Sequence, residues 1–222
     1  MEKCNSERFI EYLKSGDKDS CLMCTVGCLH QGMLDIRTLY EDILGPALNQ
    51  LHGCHMENEN CIWREHISTS IIRTIIECCY PFVRQAGREK QKKNIKVLVF
   101  CPENELHELG ARMVTDFFTL YGYDAIFIGA NTPSAQIKAA VAYEKPKYVA
   151  ISVTDYYNLV SAKKAIELVR SSAENIVFII VGGNAFRDNR DRVKEIGADV
   201  YMERFEDIKR LGEEDSGNET GL

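Results

Sequence analysis

The chain has 222 residues, 45% of them hydrophobic, enough to bury one sizeable core or two small ones. Its formal net charge of -6, from 27 Lys+Arg against 33 Asp+Glu, argues against direct DNA binding, because a phosphate backbone needs a concentrated basic face. No apolar run approaches the roughly 20 residues of a membrane helix, and the opening MEKCNSERF has no secretory pattern, so a soluble, cytoplasmic protein is expected.

The first part of the chain reads as helices. Phe9, Ile10 and Leu13 make one apolar patch at helical spacing, and Leu39, Ile43, Leu44 and Leu48 make another. A longer stripe, Ile67, Ile71, Ile72, Ile75, Ile76 and Phe82, predicts a helix over 65–83 that Pro81 closes. Four helices packed together is the expected outcome. Nine cysteines without a secretion signal point to reduced thiols. Cys21, Cys24 and Cys28 form a CxxCxxxC run, which is either half of a metal site or one face of a helix. No second cluster completes a ligand set, so these cysteines, with Cys78 and Cys79, are read as buried core residues.

The stretch 85–94, QAGREKQKKN, is polar and without periodicity, and separates a helical domain over 1–84 from a second domain over 95–212. There the runs IKVLVF, DAIFIG, YVAIS and IVFIIVGG are nearly continuously apolar, as in parallel strands covered on both faces. Helical patterns over 109–121, 134–143, 158–171 and 184–196 separate them, and a short strand over 199–202 and a last helix over 205–211 follow. The expectation is an α/β fold: a helical bundle followed by a flavodoxin-like, doubly wound sheet of five parallel strands. The tail 213–222 is acidic and polar and reads as disordered.

In such a sheet, ligands sit beyond the carboxyl ends of the strands. The loop after the first strand reads CPENELHELG and places Glu105, His107 and Gly110 as ExHxxG. A histidine here can offer a ring nitrogen to a metal while the carboxylate two residues earlier accepts its other N–H. A glycine beyond it lets a bulky planar ligand approach the backbone.

These residues resemble the cobalamin-binding domain family, whose signature is DxHxxG, then SxL or SxT, then GG. The corresponding blocks are ExHxxG at Glu105–Gly110, SVT at Ser152–Thr154, and GG at Gly182 and Gly183, each at a strand end. The resemblance implies that His107 is the lower ligand to cobalt in place of the cofactor's own base. It also implies that Ser152 hydrogen-bonds that displaced base, that Thr154 belongs to the same cofactor-binding block, and that Gly182 and Gly183 clear space for the nucleotide tail. Glu105 departs from the family's Asp by one methylene.

The helical part is similar to the cap that precedes this domain in cobalamin-dependent light-sensing repressors and in stand-alone corrinoid proteins. The matching stretch is LGPALNQLHGCHMENENCIWREHISTSIIR. The photoreceptors carry an EH pair facing the upper side of the corrin and a tryptophan ten positions before the Glu. Here the pair is Glu65 and His66, and the tenth position back is His55; Trp63 is out of register. By the resemblance His66 is a possible upper ligand.

The repressors' helix-turn-helix is missing from this sequence. The expectation is therefore a cobalamin-binding sensory module that passes its state to a homo-oligomer or a separate regulator. Adenosyl-, methyl- and hydroxocobalamin are its candidate forms. The alternative is a corrinoid protein that carries a methyl group between methyltransferases. No nucleophile with a base and no zinc site mark the chain as a complete enzyme.

Overall fold

The computed structural model describes residues 4–51, 61–172 and 177–219, and its contacts divide the chain into two units, Met1–Ala86 and Gly87–Leu222.

The first unit is helical. α1 (Ser6–Ser15) begins where the Asn5 side chain accepts the Arg8 N–H and ends at Gly16, whose φ of 71° lets its N–H close back on Leu13. Asp17 caps α2 (Lys18–His30) through the Ser20 N–H. Asp35 caps α3 (Ile36–Thr38), which runs through a π-helical segment, Leu39–Leu44, into α4 (Gly45–Leu51). α5 (Cys61–Arg88) follows. The apolar stripes bury Phe9, Leu13, Leu39, Ile43, Leu44, Ile71, Ile72, Ile75 and Ile76.

Two details differ from expectation. α5 does not stop at Pro81 but continues to Arg88, into the expected linker. Proline removes one intrahelical bond, but Cys79 and Val83 on either side are fully buried, and their packing carries the helix through. Cys21, Cys24 and Cys28 do line one buried face of α2. However, the thiols are not all reduced. The segment entering α1 lies beside α2, with the Cα atoms of Cys4 and Cys24 5.1 Å apart, and the two residues form a disulfide.

The second unit alternates strand and helix: β1 (Lys96–Pro102), α6 (Leu109–Leu120), β2 (Asp124–Thr132), α7 (Ser134–Glu144), β3 (Tyr148–Ser152), α8 (Leu159–Ser172), β4 (Phe178–Gly182), α9 (Asp191–Glu195), β5 (Val200–Tyr201) and α10 (Phe205–Glu219). The sheet is parallel with order β2-β1-β3-β4-β5, the flavodoxin-like winding the strand pattern predicts. Leu98, Phe100, Val149, Ile151, Ile179 and Val181 pack on Ile137, Val141, Ala165, Ile166 and Val169 of α7 and α8. The winding reverses between β1 and β3, so the loops leaving those two strands flank the crevice where a ligand belongs.

The helix expected over 184–196 is broken. A 3-10 turn, Asn184–Phe186, comes first, and α9 restarts only where the Asn189 side chain accepts the Asp191 N–H at 2.9 Å. The expected disordered tail is instead ordered as far as Glu219 in α10. Asp215 explains this: it is buried, accepts the Tyr123 hydroxyl at 2.7 Å and the Tyr148 hydroxyl at 2.8 Å, and pairs with Lys147. Partners brought from the starts of β2 and β3 turn a polar sequence into a docked helix.

Candidate functional site

β1 leads through residues 103–108 into α6. The Glu105 N–H donates to the Pro102 carbonyl at 3.0 Å, and Asn104 adopts φ 72°, a left-handed conformation asparagine tolerates. This turn sends the Glu105 side chain inward, to zero exposure, while Leu106 stays exposed and the His107 side chain keeps 40% of its surface accessible.

Glu105 organises the site. Its Oε1 accepts the His107 backbone N–H at 3.0 Å and lies 2.5 Å from His107 Nδ1. Its Oε2 accepts the N–H groups of Thr154 and Asp155, both at 2.9 Å, and Nδ2 of Asn158 at 3.1 Å. Burial alone pushes a carboxyl pKa up, but the donors from His107, Asp155 and Asn158 outweigh it and hold Glu105 down at about 2. The carboxylate is therefore charged at neutral pH. It fixes the imidazole tautomer with the proton on Nδ1, which makes Nε2 the nitrogen by which the ring would coordinate.

Ser152 ends β3, partly buried, with Gly182 of β4 as its Cα partner across the sheet. Thr154 joins the site through its main chain. The glycines divide into two kinds. A Cβ on Gly183, at φ 101°, would stand 2.2 Å from the Val153 carbonyl oxygen, and one on Gly182 would stand 2.9 Å from that of Met202. Their smallness is required by neighbouring backbone, a packing reason that stands apart from any ligand. A Cβ on Gly110 would meet nothing within 4 Å, so the surface beside the histidine loop is open.

In the first unit, Glu65 and His66 lie on α5, with His66 exposed and Trp63 50% exposed beneath the Arg64 guanidinium at 5.3 Å from the ring centre. His55 lies outside the described residues. Asn158, Asp155, Asn104 and Asn131 belong to the site but carried no signal in the sequence. Each is an asparagine or aspartate at a turn, indistinguishable there from an ordinary cap.

The donor set fits a corrinoid. Among the described residues no three His, Cys, Asp or Glu side chains converge on a point that could hold an ion. A metal held at His107 would bring its other ligands with it, as a macrocycle does, and Gly110 beside it is exposed, with nothing within 4 Å of a Cβ built there. A separate groove lined by Ile166, Arg170, Lys194 and Gly197 shares no residue with this site.

Comparison with known proteins places the second unit in a family. Residues 95–210 match the model of the B12 binding domain family. Over 184 residues the chain is 23% identical to the HTH-type transcriptional repressor CarA of Myxococcus xanthus, covering 80% of this chain and 58% of the repressor. It is 24% identical over 117 residues to the methanol–corrinoid protein of Methanosarcina barkeri, covering 53% and 44%. The chain thus spans about half the length of the curated relatives it matches. Among solved structures, the monomethylamine corrinoid protein of Methanosarcina barkeri superposes with a TM-score of 0.77 at 15% identity, over 91% of this chain and 94% of that one. The methanol:cobalamin methyltransferase complex of the same organism gives 0.50 at 20% identity, over 93% and 77%. At these identities the structures share the fold.

Proposed function

The chain belongs to the B12 binding domain family, and from that premise we propose that it holds cobalamin with the imidazole of His107, rather than the cofactor's own base, as the lower ligand to cobalt. The observation that carries this reading is the pair of contacts from Glu105 Oε1 to the Nδ1 and backbone N–H of His107. A buried, charged carboxylate orients the ring, keeps the proton on Nδ1 and strengthens Nε2 as a donor. The bound cobalamin supplies a reactive or photolabile upper ligand and a redox-active metal. The chain's own residues do the rest. His107 coordinates, Glu105 orients it, Gly110 leaves the corrin room, and Ser152, Thr154, Gly182 and Gly183 frame the path of the nucleotide tail.

On that binding function we build a regulatory role, in which the state of the upper ligand biases a two-state change passed to a second copy or a separate regulator. The similarity to a transcriptional repressor supports it. The second reading, a carrier of methyl groups for a methyltransferase, draws on the relatives that are themselves corrinoid proteins. Absorbance spectra with adenosyl-, methyl- and hydroxocobalamin, dark and illuminated, followed by size-exclusion chromatography, separate them. A change of assembly on illumination or ligand exchange supports regulation. Reversible methylation and reduction to Co(I) with no change of assembly supports the carrier.

A further inference from the structure

We infer that Asn131, at the end of β2, is a positioning residue for the axial histidine, an inference that rests on the assignment of His107 as ligand. Two contacts carry it. The Asn131 side-chain Oδ1 accepts the Asn104 backbone N–H at 2.8 Å, and the Asn131 backbone N–H donates to the Glu105 carbonyl at 2.8 Å. One residue of β2 thereby grips the main chain of two consecutive residues, ending two positions before His107.

The sheet explains why β2 can do this. The β1–β2 register slips twice, between Val99 and Phe100 and between Phe100 and Pro102, so that Pro102 ends opposite Thr132. The extra β2 residues bulge at the strand end, where Asn131 turns to φ 48° and Thr132 holds the bend through its hydroxyl on the Gly129 carbonyl at 3.1 Å. Asn104, at φ 72°, presents its N–H to Asn131 and its carbonyl to Nδ2 of Asn158 at 3.3 Å. The histidine loop is clamped from both flanks: from β3 through the Glu105 carboxylate, and from β2 through Asn131. The first clamp fixes the ring's tautomer. The second fixes the backbone that carries the ring, hence the direction in which Nε2 points.

Asparagine is suited to both tasks, because it tolerates a positive φ and supplies a short acceptor. Asn131→Gly separates them, keeping the backbone conformation and removing only the acceptor, while Asn131→Asp keeps both.

The test uses the full chain. Hydrogen exchange of the cofactor-free protein should show the amides of residues 103–107 exchanging about fivefold faster or more in Asn131→Gly, with the strands unchanged, and near wild-type rates in Asn131→Asp. Loaded with hydroxocobalamin and reduced to Co(II), Asn131→Gly should bind about fivefold more weakly and show a smaller histidine-ligated fraction by electron paramagnetic resonance, with Asn131→Asp restoring both. Unchanged exchange at 103–107, or an unchanged histidine-ligated fraction in Asn131→Gly, overturns the inference. A wild-type protein that binds cobalamin without histidine ligation overturns the assignment of His107 instead, and the exchange result still decides whether Asn131 holds the loop.

Discussion

Glu105 and Thr154 belong to loops that leave different strands, yet Oε2 of Glu105 accepts the Thr154 N–H at 2.9 Å while the other oxygen of the same carboxylate holds His107. The histidine's orientation is therefore tied to the loop after β3. Glutamate suits this geometry: one oxygen stays on the ring while the other reaches Thr154, Asp155 and Asn158.

Removing that carboxylate should cost more than removing the ligand. Glu105→Ala leaves the N–H groups of Thr154, Asp155 and His107 without their buried acceptor, and should destabilise the protein by about 3 kcal/mol in urea unfolding. His107→Ala, at a side chain 40% exposed, should change stability by less than about 1 kcal/mol while abolishing histidine ligation.

The same carboxylate sets an acid limit for the cofactor-free protein. Its pKa is depressed in the folded state, from 4.5 to about 2, so the folded state favours the charged form. The stabilisation is fully present above pH 4.5 and is lost as pH falls toward 2. It amounts to roughly 3 kcal/mol at most, from about 1.4 kcal/mol per unit. Urea midpoints measured between pH 6 and pH 3 should fall steeply in the wild type and less steeply in Glu105→Gln.

The glycines should separate folding from binding. Gly183→Ala drives a Cβ to 2.2 Å from the Val153 oxygen at a positive φ, and should cost about 3 kcal/mol or prevent folding. Gly110 lies in the first turn of α6 with open space beyond it, so Gly110→Ala should leave the cofactor-free melting temperature equal or slightly higher. Gly110→Trp should remain folded by circular dichroism and bind cobalamin at least about tenfold more weakly.

Asp215 tests whether the end of α10 contributes to the second unit. Asp215→Ala strands two buried tyrosine hydroxyls and Lys147, and should destabilise by about 2–4 kcal/mol; truncation after Leu211 should cost at least as much. A truncated chain with an unchanged melting curve would contradict the docking described above.

The sheet was legible because its strands are continuous apolar runs that no helix period fits, and the strand order followed from the winding that such runs adopt. The contact between Glu105 and His107 was legible because the two stand two residues apart in the loop that leaves the first strand. What stayed hidden depends on partners distant in sequence. Asn131 and Asn158 look like turn residues until β2 and β3 flank β1, and Asp215 looks like tail until Tyr123 and Tyr148 surround it. The disulfide between Cys4 and Cys24 was missed for the same reason, since only the packing of the chain's start on α2 brings the two together.

Coordination of cobalt by His107 can be read from isotope-labelled electron paramagnetic resonance. The protein is produced with nitrogen-15 histidine, loaded with unlabelled cobalamin and reduced to Co(II). An axial nitrogen-15 splits each cobalt line into a doublet, whereas the cofactor's own nitrogen-14 base gives a triplet. If His107 is the ligand, the wild type shows a doublet that disappears in His107→Ala. A triplet in the wild type, or a doublet that survives in His107→Ala, would contradict that coordination.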